Sequence, residues 1–244
     1  MENAQLIGLS RQIALQRQMD VVANNIANMN TTGFKAEQLL FEEYMMPVAR
    51  DRDFEFPDQP LSYTNSWATV HDLSTGTLIQ TGNPLDVALQ GEGFLVVQTA
   101  DGEKYTRAGS LAIGADGTLM DLSGNPVLGN GGPIQFAATE TDINISPDGT
   151  ISSSEGLKGT LRVVEFEDPQ AAERFGDNLW SGGTPLAATA TTVIQGSIEK
   201  SNVSSVGEMT EMIRVQRSYE SVASLMQKQD EQRRTAIQKL GTLA

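Results

Sequence analysis

Few residues in this chain could carry out chemistry, and they do not form a constellation. The sequence contains no cysteine and a single histidine, His71, which precedes Asp72. The absence of cysteine excludes disulfides, a thiolate nucleophile and Cys-based metal sites, and one histidine argues against zinc or copper. A lone His–Asp pair in a strand or turn is typical of a structural or solvated histidine, so we do not expect it to be catalytic.

The glycine and acidic motifs do not indicate a site either. Residues 91–93 read Gly-Glu-Gly and lead into an apolar run that predicts a strand, so the third glycine and the helix of a dinucleotide loop are missing. The Asp-Gly pairs at 101, 116 and 148 lack calcium-loop spacing and predict turns. Glu165, Glu167 and Asp168 have no partner at a catalytic spacing. We therefore predict no enzyme activity, no cofactor and no metal.

Charge is distributed unevenly along the chain. The net charge is −14, yet residues 36–200 hold 24 acidic and eight basic side chains, whereas the two ends are nearly neutral. An acidic surface repels phosphate backbones, which argues against nucleic acid as a partner. On the simplest interpretation the charge serves solubility. Alternatively, the neutral ends pack against copies of themselves while the acidic middle faces solvent.

Two proline-free ends enclose a middle that contains all nine prolines, from Pro47 to Pro185. At the N-terminal end a helix is predicted over residues 3–29, ending before Gly33. Its apolar stripe has spacings of 4, 3, 4 and 3, and consists of Leu15, Met19, Val22, Ile26 and Met29. A second stripe upstream, slightly out of phase, contains Leu6, Leu9 and Ile13.

At the C-terminal end residues 206–243 predict a second helix, roughly 55 Å long. Its stripe has the spacing of a coiled-coil seam with a polar interruption, and consists of Met212, Val215, Tyr219, Val222 and Met226, then Gln229 and Arg233, then Ala236, Leu240 and Leu243. Two interpretations are open, a core helix on the middle domain or one member of a helix pair. The dense polar face and the matching helix at the other end favour a pair.

The middle, residues 69–194, carries the signals of β-structure. Asp-Gly turns and Gly124-Asn-Pro126 separate short apolar runs at Leu85–Leu89, Phe94–Gln98, Leu111–Ile113, Ile143–Ile145 and Leu161–Phe166. Asp-Gly-Thr-Leu at 116 and Asp-Gly-Thr-Ile at 148 form a weak internal echo, and residues 169–174 predict a single helical turn. Residues 36–46 predict a short helix or extended arm, and residues 47–66, with three prolines, a linker with extended pieces.

These elements predict an α+β fold in which two long terminal helices pair as a coiled coil beside one mainly antiparallel, all-β middle domain. The predicted divisions are an N-terminal helix at 1–35, an extended linker or arm at 36–68, the β-domain at 69–195, and a connector with the second helix at 196–244. No segment is apolar enough to span a membrane, and the N-terminal residues lack the pattern of a cleaved secretory signal.

Three segments carry a resemblance to a known family. Residues 19–35 read MDVVANNIANMNTTGFK, and residues 81–94 read TGNPLDVALQGEGF, with YTRAG at 105–109. Residues 195–203 read QGSIEKSNV and precede EMTEMI at 208–213 and QRSYE at 216–220. In content and order, over the whole chain, these segments resemble the bacterial flagellar rod and hook proteins.

The resemblance implies a structural subunit of the flagellar basal-body rod, which polymerises into a helical tube that transmits torque and surrounds the export channel. The chain length, the single β-domain and residues 9–16, which differ from the Thr-Gly-Met-x-Ala-Gln pattern of distal rod proteins, favour a proximal rod protein. The implied partners are copies of itself, other proximal and distal rod subunits, and the flagellar export apparatus. The implied location is the periplasmic rod, reached by type III export without a cleaved signal peptide.

The residues expected to make subunit contacts lie on the two helices. Asn24, Asn25 and Asn28 match the family's Asn-rich motif; because Asn is a poor helix former, we hypothesise hydrogen bonds to neighbouring subunits, with fraying before Gly33 as the alternative. Arg217 is expected to pair with a carboxylate on an adjacent helix. The apolar contacts are expected from Leu15, Met19, Val22, Ile26, Met212, Val215, Tyr219, Val222 and Met226. Pro84, Leu85, Asp86, Gly91, Gly93 and Phe94 are assigned to the fold, with Phe94 in the core.

Two alternatives remain open. One is a distal rod or hook-type axial subunit. The other, from a different class, is a soluble binding module whose acidic β-domain recognises a partner. A binding module keeps stable termini as a monomer, whereas a rod subunit has protease-sensitive ends until it polymerises.

Overall fold

The computed structural model describes residues 2–45 and 62–241. Within these ranges a helix stands at each end and strands fill the region between. In chain order the elements are α1 (Glu2–Ala27), β1 (Glu37–Met45), β2 (Ser62–His71), β3 (Leu78–Gln80), β4 (Val87–Gln90), β5 (Phe94–Thr99), β6 (Gly102–Thr106), β7 (Leu111–Ile113), β8 (Leu119–Asp121), β9 (Leu128–Gly129), β10 (Gly132–Pro133), β11 (Asn144–Ile145), β12 (Thr150–Ser153), β13 (Gly156–Thr160), β14 (Val163–Phe166), a 3-10 turn (Pro169–Ala171), β15 (Ala172–Arg174), β16 (Leu179–Gly182), β17 (Pro185–Ala187), β18 (Thr192–Gln195), β19 (Ser197–Glu199) and α2 (Ser205–Gly241).

The structure confirms two parts of the predicted fold: the two terminal helices and the mainly antiparallel β-region between them. The bounds of α1 and the start of α2 lie within two residues of the predicted ones, and the predicted end of α2 at residue 243 lies outside the described residues. Of the predicted helical turn at 169–174, residues Pro169–Ala171 form a 3-10 turn and the rest form β15. Residues 37–45 form a strand and not a short helix, and β1 pairs with β2. Of the predicted linker, residues 47–66, the last five belong to strand β2. Its residues 47–61 and the seam residue Leu243 lie outside the described residues.

The chain forms two compact units. The helical unit comprises residues 1–26, 37–70 and 204–244, and the β-unit comprises residues 27–36 and 71–203. Residues 27–35, which the sequence grouped with the N-terminal helix, lie in the β-unit together with Ala36. The four predicted divisions, taken as functional domains, stay a prediction.

A six-stranded antiparallel sheet organises the β-unit, in the order β15-β16-β6-β5-β14-β17. Successive side chains of β5 point to opposite faces, so Leu95 and Val97 join one apolar cluster while Phe94 and Val96 join another. Both faces are therefore buried, which explains why β5 is a continuous apolar run. Phe94 lies in the core, as predicted.

Short hairpins complete the β-unit at the predicted turns. Gly102, Gly117 and Gly149 have positive φ angles between 80° and 107°, which suits the glycine of each Asp-Gly pair. They join β5 to β6, β7 to β8, and β11 to β12. None of the described helices is long and apolar enough to cross a membrane.

Candidate functional site

The two helices of the helical unit contact each other in antiparallel order. Near the start of α1, Arg233 Nη1 donates to Gln5 Oε1 over 3.2 Å, and Met226 lies against Gly8. Further along, Gln18 Nε2 donates to Glu211 Oε1 over 2.8 Å. Gly8 has no side chain, so the Met226 thioether rests on the backbone of α1. Higher residue numbers on α1 meet lower numbers on α2.

Most residues of the predicted apolar stripes lie on the covered side of each helix, but the C-terminal end of the α2 stripe does not. Val22 and Val215 are buried, with 5% and 2% of their surface exposed. Most of the other stripe residues are half-buried: Leu15, Met19, Ile26, Met29, Met212, Tyr219, Val222, Met226, Gln229 and Arg233. Ala236 and Leu240, near the C-terminal end of the predicted α2 seam, are exposed. The alternative stripe, Leu6, Leu9 and Ile13, is 47–51% exposed.

The Asn25 side chain is buried, and its amide is used within the chain. Nδ2 donates to the Glu37 carbonyl over 2.9 Å, and Oδ1 accepts from the Glu37 amide over 3.0 Å. The side chain also hydrogen-bonds Glu208, which opposes the rise that burial causes in the pKa of that carboxyl. Both ends of the Asn25 amide thus hold the start of β1, and the hypothesised contact with a neighbouring subunit stays a prediction for this residue.

The other motif residues have different surroundings. Asn28 Oδ1 accepts from Thr31 Oγ1 over 3.1 Å, in the turn that follows α1. Asn24 is exposed, and a contact with a neighbouring subunit stays a prediction for it. Arg217 is also exposed, and no carboxylate among the described residues pairs with it, so its predicted partner on another helix remains to be tested.

The helical unit exposes a large amount of apolar surface. On α2, Val206, Met209 and Ile213 are 49–74% exposed at spacings of three and four residues. Leu40, Phe41, Tyr44 and Met45 of β1 and Trp67 of β2 are exposed as well. A cleft of about 450 Å³ beside Trp67 is lined by α1 and the two strands. Contiguous exposed apolar residues of this kind mark interaction surfaces.

The β-unit contains a second arrangement of interest, at residues 32–36. This segment is neither helix nor strand, yet Gly33, Phe34, Lys35 and Ala36 are buried. Its backbone groups are bound from three distant places. Asn178 Nδ2 donates to the Thr32 carbonyl over 2.9 Å, Arg174 Nη2 to the Lys35 carbonyl over 2.6 Å, and the Ala36 amide to Asn202 Oδ1 over 2.8 Å. The guanidinium of Arg174 also lies 4.0 Å above the Phe34 ring.

A buried ionic cluster anchors the same segment. Lys35 Nζ lies 2.5 Å from Glu199 Oε1, and Arg107 Nη1 lies 3.4 Å from Glu199 Oε2. The three side chains are 0–2% exposed. Lys35 Nζ also donates to the Ser74 carbonyl, Arg107 Nη2 to the Gly91 carbonyl, and the Gly76 amide to Glu199 Oε1, over 2.7–2.8 Å. Each charge is thus hydrogen-bonded, as buried charges must be.

Burial dominates the electrostatics of this cluster. It lowers the pKa of Lys35, and the hydrogen bond and charge of Glu199 oppose that shift. Burial also lowers the pKa of Arg107, again against the attraction of Glu199. The carboxylate therefore compensates two cations that the β-unit has removed from water.

Sequence reasoning missed this cluster. Lys35, Arg107 and Glu199 all lie within the motif segments, but they are separated by 72 and 92 residues and have no periodic pattern. The available signal was a charged residue that follows apolar or uncharged polar residues in Gly33-Phe-Lys35, Tyr105-Thr-Arg107 and Ser197-Ile-Glu199. It indicates a buried role without naming the partner.

His71 and Asp72, the neighbouring His–carboxylate pair of the sequence, make contacts that support the fold. His71 is buried and packs edge-on against Trp180, with ring centroids 4.6 Å apart. Gln170 bonds both backbone groups of His71, and Asp72 Oδ1 accepts from the Ser74 amide. Within residues 2–45 and 62–241, no group of three or more His, Asp or Glu side chains is placed to hold a metal ion.

Comparison with known proteins identifies the family. Family models match three parts of the chain: "Flagella basal body rod protein" at residues 6–35, "Flagellar hook protein FlgE/F/G D1 domain" at 88–153, and "Flagellar basal body rod FlgEFG protein C-terminal" at 194–239. The flagellar basal-body rod protein FlgF of Caulobacter vibrioides is 36% identical over 247 residues, which cover 100% of both chains. The chain belongs to the flagellar basal-body rod protein family.

Other relatives refine the position within the rod family. FlgF of Mesorhizobium japonicum is 33% identical over 99% of both chains, and the rod protein FlgG of Bacillus subtilis is 31% identical over 92% of this chain and 94% of its own. The FlgF matches confirm the predicted assignment, a structural subunit of the proximal rod and not an enzyme. The distal rod, hook and binding-module alternatives are not favoured.

Proposed function

We propose that this rod subunit polymerises through its terminal helices, with α1 and α2 paired as a coiled coil, into the tube that transmits torque and surrounds the export channel. One observation carries the proposal: each helix has a covered apolar face and a second apolar face that is exposed. An exposed apolar stripe on both helices is unfavourable in a monomer and becomes buried when subunits stack.

The two exposed faces share a pattern that supports repeated contacts. On α1 the face reads Leu6, Leu9, Ile13, Arg17 and Asp20, and on α2 it reads Val206, Met209, Ile213, Arg217 and Glu220. Each has three apolar residues followed by a base and an acid, at spacings of 3, 4, 4 and 3. The apolar parts supply contact area, and the base and acid of one face complement those of another. This gives Arg217 the role predicted for it.

Length supports a partner for α2 beyond α1. With Arg233 beside Gln5 and α1 beginning at Glu2, the last residues of α2 extend past the start of α1. Ile237 and Leu240 lie in this extension and are exposed. In a tube built from such helices, a neighbouring subunit is the partner that would cover these two side chains.

The proposed partners are copies of this chain and other proximal and distal rod subunits. The FlgF and FlgG relatives, named as basal-body rod proteins, support them. We also propose that the flagellar export apparatus delivers the subunit to the periplasmic part of the rod. In the assembled rod we expect the acidic middle of the chain to face solvent.

Replacement of a central residue of each exposed face tests the proposal. The monomers of Ile13→Glu and Ile213→Glu are expected to retain their helical content, because both positions are exposed in the single chain. Assembly is expected to be lost, because the contact between subunits would bury the new carboxylate without a partner. The measurements are circular dichroism of the purified chain and electron microscopy of isolated basal bodies from cells that express each variant.

Matched controls introduce the same charge on the same helices at exposed polar positions. Gln16→Glu and Gln227→Glu are expected to give normal rods. Rods of normal length and composition in cells that carry Ile13→Glu would contradict the proposed contact.

A further inference from the structure

The ionic cluster of the β-unit joins segments from both ends of the chain. Lys35 belongs to the segment that follows α1, and Glu199 ends β19, the strand that precedes α2. Arg107 comes from the middle of the chain, just after β6. Glu199 is the carboxylate that contacts both cations among the described residues.

The charge balance of the ionic cluster depends on Glu199. With Glu199 in place, two buried cations share one buried anion. Without it, Lys35 and Arg107 lie together, out of water and with no carboxylate in direct contact. Only charges further away remain, since Asp72 also attracts Lys35, and Glu92 and Glu165 also attract Arg107. Removal of one partner from a buried ion pair is strongly unfavourable, because the remaining charge stays desolvated. Lys35 sits on a segment without secondary structure, so undocking that segment is the available route to water.

Other contacts make the same segment dependent on the C-terminal connection. The Gly33 amide donates to the Glu199 carbonyl over 2.8 Å, and the Asn202 amide to the Phe34 carbonyl over 3.4 Å. Asn202 also accepts the Ala36 amide, and its Nδ2 donates to the Asp72 carbonyl over 2.8 Å. Residues 199–202 therefore provide backbone partners as well as the charge for residues 33–36.

From these contacts we infer that Glu199 is a positioning residue that couples the docking of the two chain ends. Residues 33–36 stay on the β-unit only while Glu199 is in place. A chain whose C-terminal connection has not docked releases its N-terminal segment too, so half-docked subunits are not populated. The inference concerns the unassembled chain and goes beyond the proposed polymerisation.

Hydrogen exchange of the full-length monomer, measured by mass spectrometry, tests the coupling. In Glu199→Gln the amides of residues 33–36 are expected to exchange at least about tenfold faster than in wild type, after correction for any change in the exchange of β5. A factor of this size corresponds to the loss of charge-assisted hydrogen bonds. Equal acceleration in residues 33–36 and in β5, or none in either, would overturn the inference, because the cluster would then act on global stability alone.

A paired substitution separates positioning from general stabilisation. The double variant Lys35→Met with Glu199→Gln keeps the net charge of the cluster and is expected to restore slow exchange at residues 33–36. If the single variant does not fold, the double variant decides: a folded chain with protected residues 33–36 supports coupling by charge, and an unfolded or unprotected one refutes it.

The control is Glu140→Gln, which removes another ion pair of the β-unit, that of Glu140 with Lys158. It is expected to lower global stability without selective release of residues 33–36. Selective release in this control would show that the segment responds to any loss of stability, and would overturn the inference.

Discussion

Asn25 illustrates how a residue that weakens a helix is compensated. The sequence indicated that three asparagines near the end of α1 must bond something, and that reasoning was right in kind. For Asn25 the backbone of Glu37 in the same chain supplies partners, and a contact with a neighbouring subunit stays a prediction. A periodic pattern shows that an amide needs partners, but it contains no information on a chain segment twelve residues away.

Asn25→Ala is expected to destabilise the monomer by about 1–3 kcal/mol, because the Glu37 amide and carbonyl lose their partners. Urea unfolding followed by circular dichroism measures the effect. Asn30→Ala, an exposed asparagine in the following turn, is the control and is expected to change stability by less than about 0.5 kcal/mol. Equal effects of the two substitutions would show that the Asn25 contacts contribute nothing specific.

Gly33 combines a left-handed conformation with close packing. Its φ is 67°, and an added Cβ would lie 2.4 Å from the backbone of Arg107. Gly33→Ala is expected to cost more than about 3 kcal/mol, since backbone strain and a backbone clash add. Gly82→Ala is the matched control: its φ is 74° with open space around it, so about 1 kcal/mol is expected. Thermal unfolding of both variants distinguishes strain from crowding, and similar losses would rule out the clash.

Glu140 gives the β-unit a predictable response to acid. Burial alone would raise the pKa of Glu140, but Lys158 together with hydrogen bonds from Ser153 and the Ala137 amide lowers it from 4.5 to about 2. A depressed carboxyl pKa stabilises the fold above the unfolded value and loses that contribution as pH falls. Stability should therefore decrease between pH 4.5 and about 2. Urea midpoints across this range should vary less in Glu140→Gln than in wild type, whereas Glu173→Gln, at an exposed site, should behave as wild type.

At the scale of elements, the internal echo proves to be a repeated turn. In both copies the Thr amide and hydroxyl of Asp-Gly-Thr donate to the Asp carboxylate, at 2.8–3.1 Å. The carbonyls of Gly117 and Gly149 then accept from the amides of Phe136 and Leu161, each over 2.8 Å. The tetrapeptides thus repeat a local hairpin and its long-range bond.

The elements that the sequence predicted are those with local signals. Both helices have a 3.6-residue period, and the hairpins have Asp-Gly turns, so their positions followed from neighbouring residues. Strand β1 was not predicted as such, because Leu39, Leu40 and Phe41 do not alternate with polar residues. Of the two- and three-residue strands, β7 and β11 coincide with predicted apolar runs. The others were missed because tertiary pairing, and not propensity, defines them.

At the scale of the whole molecule, buried and exposed residues of α2 separate folding from assembly. Val215→Ala is expected to lower monomer stability by about 1–2 kcal/mol, because it opens a small cavity at a buried position. Leu240→Ala is expected to leave the monomer unchanged within about 0.5 kcal/mol, since Leu240 is exposed, and to weaken assembly. Chemical denaturation and electron microscopy of basal bodies measure the two properties. Loss of monomer stability in Leu240→Ala would show that the end of α2 contacts its own chain.

The unequal lengths of α1 and α2 set the order in which the pair melts. The 37-residue α2 is longer than the 26-residue α1, and Arg233, eight residues before the end of α2, already contacts Gln5 near the start of α1. An isolated helical end frays, so the backbone opens from residue 241 backwards and reaches residues 211–226 last. A protease that cuts after Lys and Arg should therefore trim the free chain at Lys239, then at Arg234, before it cuts at Arg214. The longer helix begins to unravel at its own C-terminus, while the part that lies against α1 stays wound.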